Sequence, residues 1–472
     1  MEHDLKRKIY DQLVLWKSNP NHLPLIVDGL RQVGKSYIVD RFAREHYENV
    51  IVFDFRHREE LRSVFDGNLD VESIIRKASP YFSDASFVPG KTVLVFEEIG
   101  DCLLARTSLK SFALDKRFDV ICTGSLLGVL NYRRKRRANI PTGYEQIIHM
   151  SSLDFEEFLW ACGVKPEQID ELKKATSSLS ELPSALASYY KELLKRYVVV
   201  GGMPKAVTTF LDTNNYIKSR EVLEGLIREY RGDFGRYIDD DGYDKIDYRI
   251  QFRLNQLFDS IPMQLARDNG VDKFKFSEVK QGGRASEFEQ AFDWLERAGL
   301  VLRCFNVNAL ETPLLANVDK TYFKTMIADI GLLMAMYPVS VSQAFLTDKL
   351  ESRKGAIYEN LVATMLNKAG FALAYFSDGQ AHLEIDFLLE SSEGMVLVEA
   401  KAVNGKTSAS KAVMNGETKY HASKCYKVIK ENFGIGSYFT SIPQYCLPFL
   451  LDDIQEAILK EGKLPAIEFP TV

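Results

Sequence analysis

Gly29-Leu-Arg-Gln-Val-Gly34-Lys35-Ser36 satisfies G-x-x-x-x-G-K-[ST], the Walker A or P-loop pattern. Just before it, Pro24-Leu-Ile-Val-Asp28 reads as a short buried strand, and Ser36 to Tyr47 reads as a helix. That strand–loop–helix context separates a phosphate-binding loop from a chance string. Gly29 and Gly34 let backbone N–H groups turn inward around phosphate oxygens, and the helix N-terminus adds positive dipole character. Lys35 is placed to reach the β- and γ-phosphates and the Ser36 hydroxyl to ligate Mg²⁺. The expectation is a nucleoside triphosphate site, with ATP and Mg²⁺ as its ligands.

Working outward, the first 150 residues alternate strand and helix. Strands are expected at Val50–Phe55, Lys91–Phe96, Asp119–Ser125 and Glu145–His149, with a helix over Ser108–Lys116. Such alternation predicts an α/β fold with a parallel sheet covered by helices on both faces. The P-loop then lies at the carboxyl edge of the first strand, where open α/β sheets bind ligands. The run Val93-Leu-Val-Phe-Glu97-Glu98 is an apolar strand ending in acids, the Walker B arrangement. Glu97 is expected to support the metal and Glu98 to act as the base that polarises the attacking water. Ser125, at the end of the next strand, is the candidate contact to the γ-phosphate or that water.

Residues 151–240 read as a mainly helical lid and connector, interrupted at Gly201-Gly-Met-Pro204. Residues 241–318 read as helix, turn, helix and strand, the outline of a winged helix-turn-helix. Its last helix is amphipathic through Phe288, Ala291, Phe292 and Leu295. It is also acidic, through Glu287, Glu289, Asp293 and Glu296, which suits a DNA major groove poorly. From 319 to 472 a helix pair leads into strands at Glu384–Leu389 and Met395–Ala400, a second α/β domain. Asp386, followed by Glu399-Ala-Lys401, matches the D…[DE]-x-K spacing of the PD-(D/E)XK nuclease fold. Strand alternation points Glu399 and Lys401 to one side. Asp386 can converge there, and Glu359 on an upstream helix would complete a metal shell of oxygen ligands. Lys401 would position or help deprotonate the attacking water.

Net charge −5 argues against a chain that coats polyanions wholesale, while leaving room for a local basic face. Arg133-Arg-Lys-Arg-Arg137 is such a candidate, although no aromatic residue interleaves it. DNA is therefore an open partner. The six cysteines are scattered without metal-ligand spacing, which suits buried thiols in a reducing cytoplasm. No apolar run approaches the roughly 18–20 residues a membrane span requires, so no membrane partner is expected.

Taken together, these motifs resemble the AAA-type P-loop ATPases of bacteria and archaea that carry a C-terminal DUF4143 domain. The matching residues are Gly29–Ser36, the FEEI run at Phe96–Ile99, Thr123–Gly128, Leu153–Phe158, the GGMP turn at Gly201–Pro204, and the EIDF and VEAK strands. The resemblance implies an ASCE/AAA-like core and a C-terminal restriction-endonuclease-like α/β domain. It also implies that the GGMP turn closes a lid over the nucleotide, with Pro204 near adenine. Two positions depart from the family. Glu97 stands where relatives have Asp, and Tyr144 where an arginine follows a PVGR-like turn. Relatives often act as rings in which a neighbour's arginine completes the site, which leaves a homo-oligomer open and the partner protein unidentified. The competing expectation is a nucleotide-gated scaffold with slow or no hydrolysis and an inactive nuclease-like docking domain.

Overall fold

The computed structural model describes residues 4–83, 86–125, 143–238, 244–267, 273–350, 354–379, 383–401 and 407–460. A first helix, α1 (Ile9–Ser18), leads into β1 (Leu25–Gly29), the P-loop and α2 (Lys35–His46). Then follow β2 (Asn49–Asp54), α3 (Val71–Ala78), β3 (Thr92–Glu97), α4 (Leu103–Asp115), β4 (Asp119–Ser125) and β5 (Gln146–Met150). The five strands are parallel in the order β2-β3-β4-β1-β5, so β4 separates the P-loop strand from the Walker B strand. Alternation sorts their side chains: Leu25, Val27, Val93 and Val95 enter one core, Ile26, Leu94 and Phe96 the other. Every expected strand here lies within a residue or two of its observed place. The basic run 133–137, Gly128 and the turn residue Pro141 fall outside the described residues.

Helices follow as α5 (Phe155–Ala161), α6 (Pro166–Ser177), α7 (Ser184–Val200), α8 (Pro204–Thr213) and α9 (Tyr216–Asp233). A short hairpin, β6 (Arg236–Ile238) and β7 (Asp244–Ile246), then interrupts the expected helical run. Three helices come next, α10 (Tyr248–Ala266), α11 (Phe276–Val279) and α12 (Ala285–Arg297). They are followed by the antiparallel pair β8 (Val301–Val307) and β9 (Val318–Ile327). Helices α13 (Ile330–Met336), α14 (Val339–Leu346) and α15 (Lys354–Lys368) lead into β10 (Ala374–Asp378), β11 (Leu383–Ser391) and β12 (Gly394–Ala400). The chain closes with α16 (Ser408–Met414), β13 (Lys424–Ile429), β14 (Gly434–Ile435), β15 (Thr440–Pro443) and α17 (Leu447–Lys460).

The second sheet corrects the expected division at 318/319. Its eight strands run β14-β15-β13-β12-β11-β10-β8-β9, so the β8–β9 hairpin is part of the C-terminal sheet. Phe305 of β8 pairs with Ala374 of β10 in parallel. The expected boundary cuts β9 at its first residue. One apolar core runs without a break from Leu25 and Val27, through the lid helices, to Val396, Val398 and Leu451.

A buried carboxylate lies where the two halves meet. Asp329 is fully buried between β9 and α13 and caps that helix, accepting from the N–H groups of Gly331 (2.9 Å) and Leu332 (3.2 Å). Its other oxygen accepts from Ser152 Oγ (2.7 Å), just past β5, and from Gly202 N–H (3.0 Å) in the GGMP turn. The backbones must touch for this to happen. A Cβ on Gly201 would lie 2.6 Å from Gly331 Cα, and one on Gly202 would lie 2.1 Å from the Leu153 carbonyl oxygen. Lys368 at the end of α15 finishes the junction, donating to Ser152 Oγ (2.9 Å), the Leu153 carbonyl (2.8 Å) and Tyr197 Oη (3.1 Å).

Asp329→Ala strips four donors of their acceptor in a buried junction. It should destabilise the chain by about 3 kcal/mol or more. Urea unfolding followed by tryptophan fluorescence is expected to show this; a loss near zero would mean the junction is not under tension from this carboxylate.

Candidate functional site

The P-loop is held from three sides. Gly34 enters α2 with left-handed backbone (φ 95°), and Gly29 lies so close to β5 that a Cβ there would sit 2.2 Å from the Met150 carbonyl oxygen. From the N-terminal side, Arg7 donates to the Val33 carbonyl (2.9 Å) and pairs with Glu157 (3.1 Å). From the lid, Tyr230 Oη donates to the Arg31 carbonyl (2.9 Å), Asp233 pairs with the Arg31 guanidinium, and Glu229 accepts from Gln32. Pro204 Cγ lies 3.9 Å from where a Gly34 Cβ would be, so the GGMP proline stands beside the P-loop.

Lys35 is buried and folds back onto its own loop, donating to the carbonyls of Leu30 (2.9 Å) and Gly29 (3.2 Å). Burial pulls its pKa down to about 8 against the opposing pull of Glu98 and Asp28. Ser36 opens α2 at the edge where β3 ends, near enough for its hydroxyl to act on the Glu97 carboxylate. Burial raises Glu97 above the ordinary glutamate range, and that hydroxyl opposes the rise. The two residues expected to share Mg²⁺ thus lie at one edge of the sheet, and a hydroxyl with a carboxylate is a donor set suited to a hard cation.

Glu98 leaves the strand with left-handed backbone (φ 52°), a conformation costing a non-glycine residue about 1 kcal/mol. Its N–H reaches Thr123 Oγ1 (3.3 Å) on β4, and its carboxylate faces Arg56 (3.5 Å), which also holds Asp101 (3.1 Å). Arg56 follows β2 and was not singled out by the sequence reading. Its only signal there is a cation after an apolar strand whose end lines the same sheet edge. Ser125 pairs in register with Gly29 across the β1–β4 ladder, beside the start of the P-loop. Tyr144 packs under the Lys110 ammonium (5.1 Å).

The C-terminal constellation assembles in part. Lys401 Nζ bridges Asp386 (2.8 Å) and Glu399 (2.9 Å), as strand alternation predicts. Glu399 is 1% exposed and hydrogen-bonded to Ser410 Oγ. Burial first, and Asp386 second, push its pKa up to about 7, against Lys401 and Ser410. Glu359 does not join them directly. Together with Glu384 it is taken by Lys324 of β9, at 2.9 Å and 3.1 Å. Burial draws the Lys324 pKa down, but Glu359, Glu384 and Asp386 outweigh it and hold the ammonium well above the ordinary lysine range. Among the described residues no group of three or more His, Cys, Asp or Glu is arranged to hold a metal ion. The expected shell of Glu359, Asp386 and Glu399 is thus not gathered: Glu359 is paired with Lys324, and Asp386 and Glu399 with Lys401. Lys324 was missed because a lone lysine in a strand outside the motif carries no pattern.

With this geometry established, residues 21–159 match the model of an AAA domain and residues 354–445 that of DUF4143, a domain of unknown function. Residues 191–343 match DUF8612, another domain of unknown function, whose span crosses both the 240/241 and 318/319 divisions. The chain thus carries an AAA domain near its start and a DUF4143 domain further on. No curated protein matches it. Among solved structures it is similar to the Walker-type ATPase PABY2304 of Pyrococcus abyssi, at 14% identity over 70% of this chain and 95% of that one, with TM-score 0.42. It is also similar to the ORC2 protein of Aeropyrum pernix in its ADPNP–ADP complexes, at 10% identity, 74% and 96% coverage and TM-score 0.36. The RuvB Holliday junction branch migration motor of Thermotoga maritima follows at 16%, 63% and 90%, with TM-score 0.27. No helix among the described residues is long and apolar enough to cross a membrane.

Lys324→Met leaves Glu359 and Glu384 facing each other without a cation. The variant should lose about 3 kcal/mol at pH 7. The two carboxyls then hold their protons above the usual range, so the loss should shrink as pH falls from 7 towards 5. Thermal melts across that range check both the size and the sign.

Proposed function

We propose that this chain is an ATP-binding, Mg²⁺-dependent ATPase that acts as a switch. The observation that carries the proposal is that Lys35 and Ser36 at the start of α2, and Glu97 and Glu98 at the end of β3, lie at one carboxyl edge of the parallel sheet. Gly29, Gly34 and the N–H groups of the P-loop would cradle the phosphates, with Lys35 turning from its own carbonyls to the β- and γ-oxygens. Ser36 and Glu97 would hold Mg²⁺, which supplies charge neutralisation between the phosphates. Glu98 would orient and deprotonate the attacking water once Arg56 releases it, and Ser125 would contact the γ-phosphate. Pro204 would flank the adenine from the lid. The output would pass to the nucleic-acid-facing winged helix formed by α10 to β9, and to the nuclease-like C-terminal domain, with DNA as partner.

A second reading is favoured by one observation. Lys401 and Lys324 each bridge two of the four carboxylates of the C-terminal cluster, so that domain would serve as a docking module and the chain as a nucleotide-gated scaffold with slow hydrolysis.

Lys35→Ala is expected to remove ATP binding in isothermal calorimetry without unfolding the chain. In the unaltered protein the Lys35 proton is lost near pH 8, whereas a bound triphosphate would retain it. Affinity should therefore be level below pH 8 and fall above it, by at most about tenfold per pH unit. Glu98→Gln should keep ATP bound and slow its hydrolysis by about a hundredfold or more. A turnover equal to that of the unaltered chain would remove Glu98 from the base role. Nicking of DNA with Mg²⁺ or Mn²⁺, abolished by Asp386→Ala and by Lys401→Ala, would decide for the nuclease; intact substrate throughout would decide for the scaffold.

A further inference from the structure

The outward face of α10 is unlike the rest of the surface. Tyr248 and Phe252 stand 75% and 65% exposed, and Met263 stands 56% exposed further along. Four residues apart, the two rings point to one side of the helix, separated by about 6 Å along its axis. The sequence interleaves them with cations, Tyr248-Arg249-Ile250-Gln251-Phe252-Arg253. At its other end the same face opens into a cavity of about 680 Å³, where α9 and α10 meet the turn after α13. Arg228, Arg231 and Arg267 line it, with Ile227, Met263 and Tyr337 as apolar wall. Asp259 pairs with Arg231 and Glu278 with Arg267. No ion pair among the described residues engages Arg228, Arg249 or Arg253. The two exposed rings, Arg249 and Arg253 therefore share α10, about 28 Å long, and Arg228 lines the cavity at its far end from α9.

We infer that this face binds single-stranded nucleic acid, the rings stacking on bases and the guanidiniums following the phosphates. The inference rests on the nucleic-acid-facing reading above and names the face that carries it. Every base has a π-face, so exposed rings bind a strand whatever its sequence, and arginines add charge and cation–π contact. The ring spacing selects single strand over duplex. It is nearly twice the roughly 3.4 Å step of a duplex strand, so it receives splayed bases and not a closed stack. The alternative face offered by a winged helix is closed to a polyanion. On α12, Glu287 pairs with Lys280 of the preceding turn, and Asp293 and Glu296 pair with Arg303 of β8, so the acids of that helix draw in the cations beside it.

The test is fluorescence anisotropy of the full chain with labelled oligo(dT) about 20 nucleotides long, and with a duplex of the same length, between ~50 and ~200 mM salt. The unaltered protein should bind the single strand more tightly than the duplex. Tyr248→Ala with Phe252→Ala should weaken that binding tenfold to a hundredfold, roughly, with an unchanged salt slope. Arg228→Ala with Arg249→Ala should lower the slope by about 1.4, from about 0.7 per phosphate contact. All four side chains are on the surface, and unchanged melting confirms that each variant is folded. Binding unaffected by either pair would overturn the assignment of this face while leaving the nucleic-acid reading in place. No binding of either oligonucleotide by the unaltered chain would overturn both and turn the exposed rings towards a protein partner.

Discussion

Asp329 is the constraint on which the arrangement of the chain depends. A buried carboxylate is tolerable only when its oxygens are saturated with donors. Here the donors come from three segments, the residues after the P-loop sheet, the GGMP turn of the lid and the first turn of α13, and Lys368 at the end of α15 backs the first of them by donating to Ser152. Gly201, Gly202 and Gly331 are the only residue type that permits this approach, since their Cα atoms occupy the room a side chain would take. None of these segments can shift alone without stranding a buried polar group. Motion at the nucleotide edge is thus constrained to move the lid and the C-terminal sheet together, or to break the junction outright.

The P-loop has the complementary property. Its carbonyls are held by Arg7 and by Tyr230, and its exposed Arg31 and Gln32 by acids on α9. These contacts belong to the loop when it is closed on Lys35. A loop that wraps a triphosphate must give its lysine to the ligand, and the carbonyls of Gly29 and Leu30 lose that donor. Because α9 grips the same loop and packs on α13, any adjustment is communicated along a path of side chains and not through solvent. This is a physical link with two ends, a phosphate-binding loop and the helix that Asp329 caps.

The legible part of the fold is the part encoded locally. An apolar run, two glycines and a helix start define the P-loop wherever they occur, and β3 and β4 ended where their acids and their Thr-Gly-Ser turn indicated. The GGMP break was equally plain, although its neighbours were not: the expectation was a lid over the nucleotide, and the turn is also the socket for Asp329. What escaped was non-local. Val318–Ile327 mixes Asp319, Lys320 and Lys324 with apolar residues and has no strong period, and its strand character comes from pairing with β8. That β8 in turn joins β10 is decided by tertiary packing between distant segments. Asp329 did carry a signal, an Asp directly before Ile-Gly-Leu-Leu-Met, the mark of a helix cap.

The same non-local pairing explains the C-terminal charges. Had the hairpin ended its own domain, Lys324 would face solvent, and Glu359 and Glu384 would be free to turn towards Asp386. Joined to the sheet, β9 delivers a cation into a cluster of four carboxylates, where it and Lys401 leave a net charge of about −2. A divalent cation at Asp386 and Glu399 would have to displace the Lys401 ammonium from both, whereas one recruiting Glu359 must also break its contact to Lys324. The second demand reaches back through β9 to Asp329, two residues beyond that strand. Whatever the C-terminal domain does with its charges, the hairpin that sets them is the segment bound to the nucleotide-side junction.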